Sequence, residues 1–553
     1  MRPNGTIPLL LAVMATACSP PPDGTIDPAA LTAAAGIAPA ALEQHMRWLA
    51  DDALEGRETG TVGHRMAADY VVGRFAALGL EPAGEQGGFL QSVPVRSSRL
   101  EPSGCALTLV RDGKRQALGF ATDYIARGDF ARERVELTAP LVYAGFGVVA
   151  TQRDHDDYDG IDVAGKVVVI WGGAPTWLPH DERAYHSMRS LKYREAVERG
   201  AVGVLEMALP EDRRRVAWGR MVRQADQPAM RWIAPDGDPR EAFTELGLVA
   251  HLSAAGEQAL FAHDEAGHAA AIELAERGHP EPFELGVELQ VRTSSRLARL
   301  VSSNVVGRLV GSDPQLRDEH VVLTAHLDHL GRGAPVDGDA IYNGAYDNAS
   351  GIAALLEIAR ALAELPTPPA RSLLFIAVTG EEQGLLGSDY FAQHPTVSAQ
   401  GLVANLNLDM VLMLHPLVDV VAFGADHSSL ARPLEIAADA SGIALASDPL
   451  PEEALFIRSD QFSFVRRGVP GLLLVSGFED PDPQLDGLRI FTDWLRSVYH
   501  APSDDMSQQF DFEAGAEFAR LNLLVLHLVA SQPARPQWNP GDFFGERFGH
   551  GLR

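Results

Sequence analysis

Apolar residues recur along the chain with changing periods, and the changes divide it. Over 39–80 the spacing is helical: Leu42, Met46 and Leu49 share one face, as do Ala67, Val71, Phe75 and Leu78. From about 88 to 135 the pattern shortens to strand-like runs, FLQSVPV at 89–95 and CALTLV at 105–110. A distinct block follows. It holds a strand, LVYAGFGV at 141–148, a buried-type run over 167–170, and LKYREAVERGAVGVLEM at 191–207, a helix feeding a strand. Beyond it the alternation is regular. Runs at 304–310, 321–325, 372–378, 402–408, 418–423 and 471–475 read as strands; runs at 349–364, 384–393, 428–441, 458–467 and 508–531 read as helices. This predicts an α/β fold with a mixed, mostly parallel sheet flanked by helices on both faces. The helix after Asn348 has the firmest pattern. Ile352, Leu355, Leu356, Ala359 and Leu362 face one side, Asn348 and Ser350 can cap it, and Pro366, Pro368 and Pro369 stop it.

Composition narrows the classes. A chain of 553 residues is too long for one ordinary core, so two or three domains are expected. A formal net charge of −28 repels phosphate backbones, so nucleic acid is excluded as a partner. The two cysteines, Cys18 and Cys105, rule out thiolate zinc sites. Residues 1–18, MRPNGTIPLLLAVMATAC, have a positive start, a short apolar run and small residues before Cys18. That pattern resembles a bacterial lipoprotein signal with Cys18 as the lipidated residue; Ala15-Thr16-Ala17 also fits an ordinary cleavage site. Either reading places the chain outside the cytoplasm: a periplasmic or outer-membrane lipoprotein, attached to the membrane through Cys18, or a secreted protein. Residues 19–38 then read as a flexible tether.

The chemistry gathers where strands end. His326 and Asp328 follow the run 321–325, Asp347 opens the next helix, Glu381 and Glu382 follow 372–378, Asp409 ends 402–408, and His500 comes from a late loop. In an open α/β sheet, ligands bind beyond the carboxyl ends of the strands, so these segments can converge on one rim. Histidine and carboxylate are the ligands of zinc. Three carboxylates and two histidines suffice for two zinc ions with one carboxylate shared, and a pair of metals about 3.5–4 Å apart can activate a water and polarise a carbonyl. One carboxylate of the adjacent Glu381–Glu382 pair is then free to act as general base and acid.

The runs AHLDHLG, GAYDNASG, VTGEEQGLLGS, NLDMV and YHAPSDD resemble the dizinc aminopeptidase family, which also includes glutamate carboxypeptidases and the transferrin receptor. LEGRETGTVG, followed by AADYVVGRFAALGLEPAG, is similar to that family's amino-terminal signature. The resemblance implies a zinc-dependent exopeptidase fold and two zinc ions. His326 and Asp409 would hold one, His500 and Glu382 the other, and Asp347 both. It makes Glu381 the general base, Asp328 the acid that orients His326, Tyr499 an oxyanion partner, and Asp347–Asn348 a candidate cis peptide. Tyr346 and Gln461 depart from the family pattern and are expected to bear on substrate preference; His329, His415 and His427 are expected to be bystanders. The block at 135–275 resembles a protease-associated domain. The expected division is a signal at 1–18, a tether at 19–38, the amino-terminal part of the peptidase domain at 39–134, the insert at 135–275, the zinc peptidase domain at 276–531 and an unassigned tail at 532–553. The implied function is hydrolysis of the N-terminal residue of peptides, with no obligate protein partner. Alternatives are a carboxypeptidase or dipeptidase on the same core, an acyltransferase like glutaminyl cyclases, or a receptor-like binding protein.

Overall fold

The computed structural model describes residues 25–550 apart from Val216, Asp226 and Pro483. The expected signal with its Cys18, and the first part of the tether, lie outside the described residues.

One strand joins the two halves of the molecule. Phe283–Leu309 runs for 27 residues. In its first part Leu285, Val287, Leu289 and Val291 are buried while Glu284, Glu288 and Arg292 stay exposed, a period of two that buries one face. There it pairs antiparallel with Ala106–Arg111 and Arg134–Tyr143. In its second part it pairs antiparallel with Leu90–Leu100 and Ser372–Val378, and Asn304 to Gly307 are buried without alternation. The sequence pattern predicts only this last stretch as a strand, because the preceding residues alternate with charges.

From the second part of the long strand the sheet continues in the order Ser372–Val378, His320–His326, Leu402–Asn407, Gly471–Ser476, Asp419–Phe423 and Ala444–Ala446. The first four are mutually parallel; Asp419–Phe423 runs against Gly471–Ser476 and parallel to Ala444–Ala446, and the long strand runs against Ser372–Val378, so the sheet is mixed as expected. Its central strands are buried along their whole length because helices cover both faces. Ser350–Ala363 and Phe512–Ser531 pack with Val321, Leu323 and Phe375; Phe391 and Phe464, from helices Leu386–Gln393 and Gln461–Val465, pack on the other side with Val322, Leu374 and Ile376.

The second layer has its own core and a parallel centre, with Gly203–Met207 between Val167–Trp171 and Val249–Leu252. It takes in Ala106–Arg111, Lys114–Leu118 and Tyr124–Ala126, and it ends in the long strand. The limits 135–275 are therefore too narrow at both ends. Two other expectations change. Residues 28–35, expected in the tether, form helix Pro28–Ala35, which buries Ala30 and Ala34 in the same core as Val321, Leu323 and Phe375 and is capped by Asp27. The tail carries helix Phe543–Phe548, with Phe544 buried against Phe456 and Phe462, and Trp538 donating to the Gly468 carbonyl at 2.9 Å.

Candidate metal centre

The centre forms where the parallel strands end in register. His326 lies opposite Val378, and Thr324 opposite Asn407, so the residues following each strand emerge at one level. His326 closes its strand, Glu381 and Glu382 lie just past Val378, and Asp409 lies two residues past Asn407. Asp347 comes from the bend before helix Ser350–Ala363, where the Asp347–Asn348 peptide is cis as expected. His500 arrives from the loop after helix Gly487–Ser497.

The side chains form two groups around Asp347. His326 Nε2 is 3.1 Å from Asp347 Oδ1 and 3.2 Å from Asp409 Oδ1. His500 Nε2 is 3.1 Å from Asp347 Oδ2 and 3.1 Å from Glu382 Oε2. Asp347 thus turns one oxygen to each group. His329, expected as a bystander, also belongs here: it is fully buried, with Nδ1 2.7 Å from Glu382 Oε1 and 3.9 Å from Asp347 Oδ2. In AHLDHLG its spacing from His326 carried the signal, but a third histidine was not needed to complete a ligand count. His415 keeps its bystander place, its ring facing the Pro416 carbonyl, and His427 binds Asp542 in the tail.

A set of surrounding contacts holds these groups. His326 Nδ1 donates to the backbone carbonyl of Asp328 at 3.1 Å. The residue expected to orient His326 therefore does so through its main chain. Its carboxylate instead accepts from the Glu381 amide at 3.1 Å and the Thr59 hydroxyl at 3.2 Å, fixing the loop that carries both glutamates. Asp504 accepts from the amides of Tyr346 and Asp347, at 2.8 and 3.1 Å, and so sets the bend beneath the shared carboxylate. It stands in the YHAPSDD run, yet nothing in sequence spacing links it to residue 347. Ser459 donates to Asp409 Oδ2 at 2.5 Å and accepts from Asn407 at 2.6 Å. Gln461 and Tyr346 are buried and turned inward: Gln461 bonds to Asn407 and Phe456, and Tyr346 donates to the Gln509 carbonyl. Both departures from the family pattern are thus internal side chains. Tyr499 stacks on His500 with ring centroids 3.8 Å apart.

Charge dominates this enclosure. Burial alone would raise Asp347 and Glu382, but facing histidines outweigh it: Asp347 is held well below the ordinary carboxylate range, and Glu382 falls to about 2 beside His500 and His329. Burial likewise would lower the histidines, yet His500 rises to about 10 against Glu382 and Asp347, and His326 rises well above its ordinary value. Glu381 behaves differently. Burial lifts it well above the ordinary range, and the neighbouring Asp409 and Glu382 add to the rise. The site thus demands positive charge at two points and offers imidazole and carboxylate there, the donor set suited to zinc. His326, Asp347 and Asp409 bring ligand atoms within 4.8 Å of one another, as do His329, Asp347 and Glu382.

Residues 304–526, which carry all of these groups, match the sequence pattern of peptidase family M28. Among curated relatives, a "Probable zinc metalloprotease" of Pyrenophora teres f. teres is 38% identical over 109 residues, 20% of this chain and 22% of its own length. Another of that description, from Pyrenophora tritici-repentis, is 28% identical over 270 residues, 42% of this chain and 53% of its own length. The chain thus spans between about a fifth and a half of these relatives. Likeness in fold extends further than that match. An aminopeptidase from Aneurinibacillus sp. strain AM-1 superposes with a TM-score of 0.54 at 18% identity, covering 93% of this chain and 99% of that one.

Proposed function

We propose that this protein is an extracytoplasmic dizinc aminopeptidase that hydrolyses the N-terminal residue of peptides. The observation that carries the reading is the division of Asp347, one oxygen toward His326 and Asp409 and the other toward His500 and Glu382. His326 and Asp409 would hold one zinc, His500 and Glu382 the second, and Asp347 both, with His329 close enough to join the second group. Bound there, the metals would make water more acidic and polarise the scissile carbonyl. Glu381 is the carboxylate left beside them. It takes the proton of the attacking water and delivers it to the departing amine. Its burial suits that exchange, because it raises the carboxyl above the ordinary range and so makes it a stronger acceptor for the proton of water. Asp328 holds the Glu381 amide and so aims the base, and the Tyr499 hydroxyl is the nearby group suited to donate to the developing oxyanion.

Glu381→Gln tests the assignment. Peptide turnover falls by about 10²–10⁴-fold while two zinc ions are retained, as expected for a general base. Loss of a zinc ion from the variant would make Glu381 a ligand and overturn its role. Aminoacyl anilides assayed beside N-blocked peptides test the direction of attack. Turnover of the blocked substrates alone would replace the aminopeptidase reading with a carboxypeptidase one.

A further inference from the structure

The second layer sends an arm over the metal centre. Helix Trp218–Ala225 and the residues after it are anchored at three points. Trp218 Nε1 donates to the Ala121 carbonyl at 2.7 Å, within its own layer. Arg220 donates to the Leu495 carbonyl at 2.8 Å, in the helix that leads to His500. Gln227 donates to the Arg332 carbonyl at 3.2 Å, in the hairpin strand Gly331–Val336 that follows His326 and His329. The arm therefore ties together two rims of the centre. Between these anchors the Gln224 side-chain amide lies 3.4 Å from His500 Nδ1.

We propose that Gln224, supplied by the second layer, is a positioning residue that orients the His500 imidazole for zinc. The inference rests on the dizinc reading above. His500 turns Nε2 to Asp347 and Glu382, so a cation held with them would take that nitrogen. The ring proton then sits on Nδ1 and needs an acceptor. Gln224 is the partner of that nitrogen among the described residues, and half a turn about its terminal bond presents Oε1 as the acceptor. Other contacts leave this role open. Tyr499 covers a face of the ring but offers its edge nothing. The His500 backbone stands at φ 57°, a conformation that a residue with a side chain keeps only when its surroundings hold it. An arm fixed on both rims is placed to do so.

Full-length wild type, Gln224→Leu and Gln224→Glu would be compared by zinc stoichiometry and by affinity in chelator competition, with the melting temperature of each metal-free protein as a check on folding. Losing an outer partner of a metal-binding histidine typically weakens metal affinity by about 10–100-fold. The Leu variant is therefore expected to bind the second zinc that much more weakly at an unchanged metal-free melting temperature. The Glu variant, which still accepts the Nδ1 proton, is expected to match or exceed wild type. Because coupling is reciprocal, zinc should also protect the arm from trypsin at Arg220 and Arg223 in wild type and less so in the Leu variant. Two zinc ions bound equally well by wild type and Leu variant overturn this inference alone. Equal weakening in the Leu and Glu variants overturns it too, since packing rather than proton acceptance would then be at work. A wild type that binds a single zinc ion overturns the dizinc reading, and this inference with it.

Discussion

Arg57 shows how much of the centre depends on a side chain that never touches it. It is almost fully buried and donates to the carbonyls of Leu327, Leu49, Asn343 and Gly344, at 3.0, 2.5, 2.6 and 2.9 Å. The Leu327 carbonyl lies just after His326, and those of Asn343 and Gly344 lie just before Asp347, so a single guanidinium clamps both ligand-bearing segments to the amino-terminal loop. Burial lowers its pKa to about 10 while Asp504 and Asp328 pull the other way, so it remains charged at neutral pH. Arg57→Met removes the donors and leaves buried carbonyls unpaired, each a loss of about 1–3 kcal/mol. The expected outcome is a lower denaturant midpoint and weaker zinc binding together; a variant that loses neither would deny the clamp. Sequence placed Arg57 in a family-like loop and gave no reason for an arginine there. The reason lies some 270 residues away in the chain.

At the scale of elements, the second layer has a buried charge cluster at the carboxyl end of its parallel strands. Glu206, next to last in Gly203–Met207, receives Arg189 at 3.0 Å and the Tyr193 hydroxyl at 3.2 Å, with His251 from the next strand 3.6 Å away. Lys192 is buried beside it and donates to the Trp171 carbonyl at 2.9 Å. Burial would raise Glu206, but Arg189, His251 and Lys192 outweigh it and hold the carboxyl at about 2 against an ordinary 4.5. A carboxyl depressed by folding stabilises only while ionised. Its contribution is complete above pH ~4.5 and is lost as pH falls toward ~2. Urea titrations across that window should show a steeper loss of stability in wild type than in Glu206→Gln, with Trp171 fluorescence as the local probe. Parallel slopes for the two proteins would show that Glu206 is not what acid attacks. The strands themselves were legible, since GKVVVIWGG and GAVGVLEM are apolar runs. The cluster was not, because Arg189, Glu206 and His251 are ordinary charges until two paired strands and the start of helix Arg189–Glu198 bring them together.

The whole molecule is two sheets on one strand, secured at the far side by the chain's own end. Arg547 lies 4.4 Å from the Tyr185 ring of the second layer, while Phe544 from the same short helix packs into the catalytic half. This is why 532–550 shows no period of its own: its aromatics fill gaps between other elements rather than forming a face. Among the described residues no helix is long and apolar enough to cross a membrane. The lipoprotein-like pattern at 1–18 carries its own prediction. Labelled palmitate fed to a bacterial host should appear in the wild-type chain and not in Cys18→Ser, which should move to the soluble fraction. A wild type without label would favour cleavage after Ala15-Thr16-Ala17.

By itself the sequence determined the alternation of strands and helices, the mixed α/β class and the ligand types, because apolar period and residue chemistry are local properties. It placed His326, Glu381, Glu382 and Asp409 beyond strand ends, since that follows from where each apolar run stops. Tertiary structure alone decided that Asp347 divides its oxygens between two groups, that Asp328 acts on His326 through its carbonyl and on Glu381 through its carboxylate, that His329 joins the centre, and that Gln224 crosses from another layer to reach His500. Each of these depends on direction in space between residues of separate elements, and spacing along a chain does not carry direction once the segments are folded against one another.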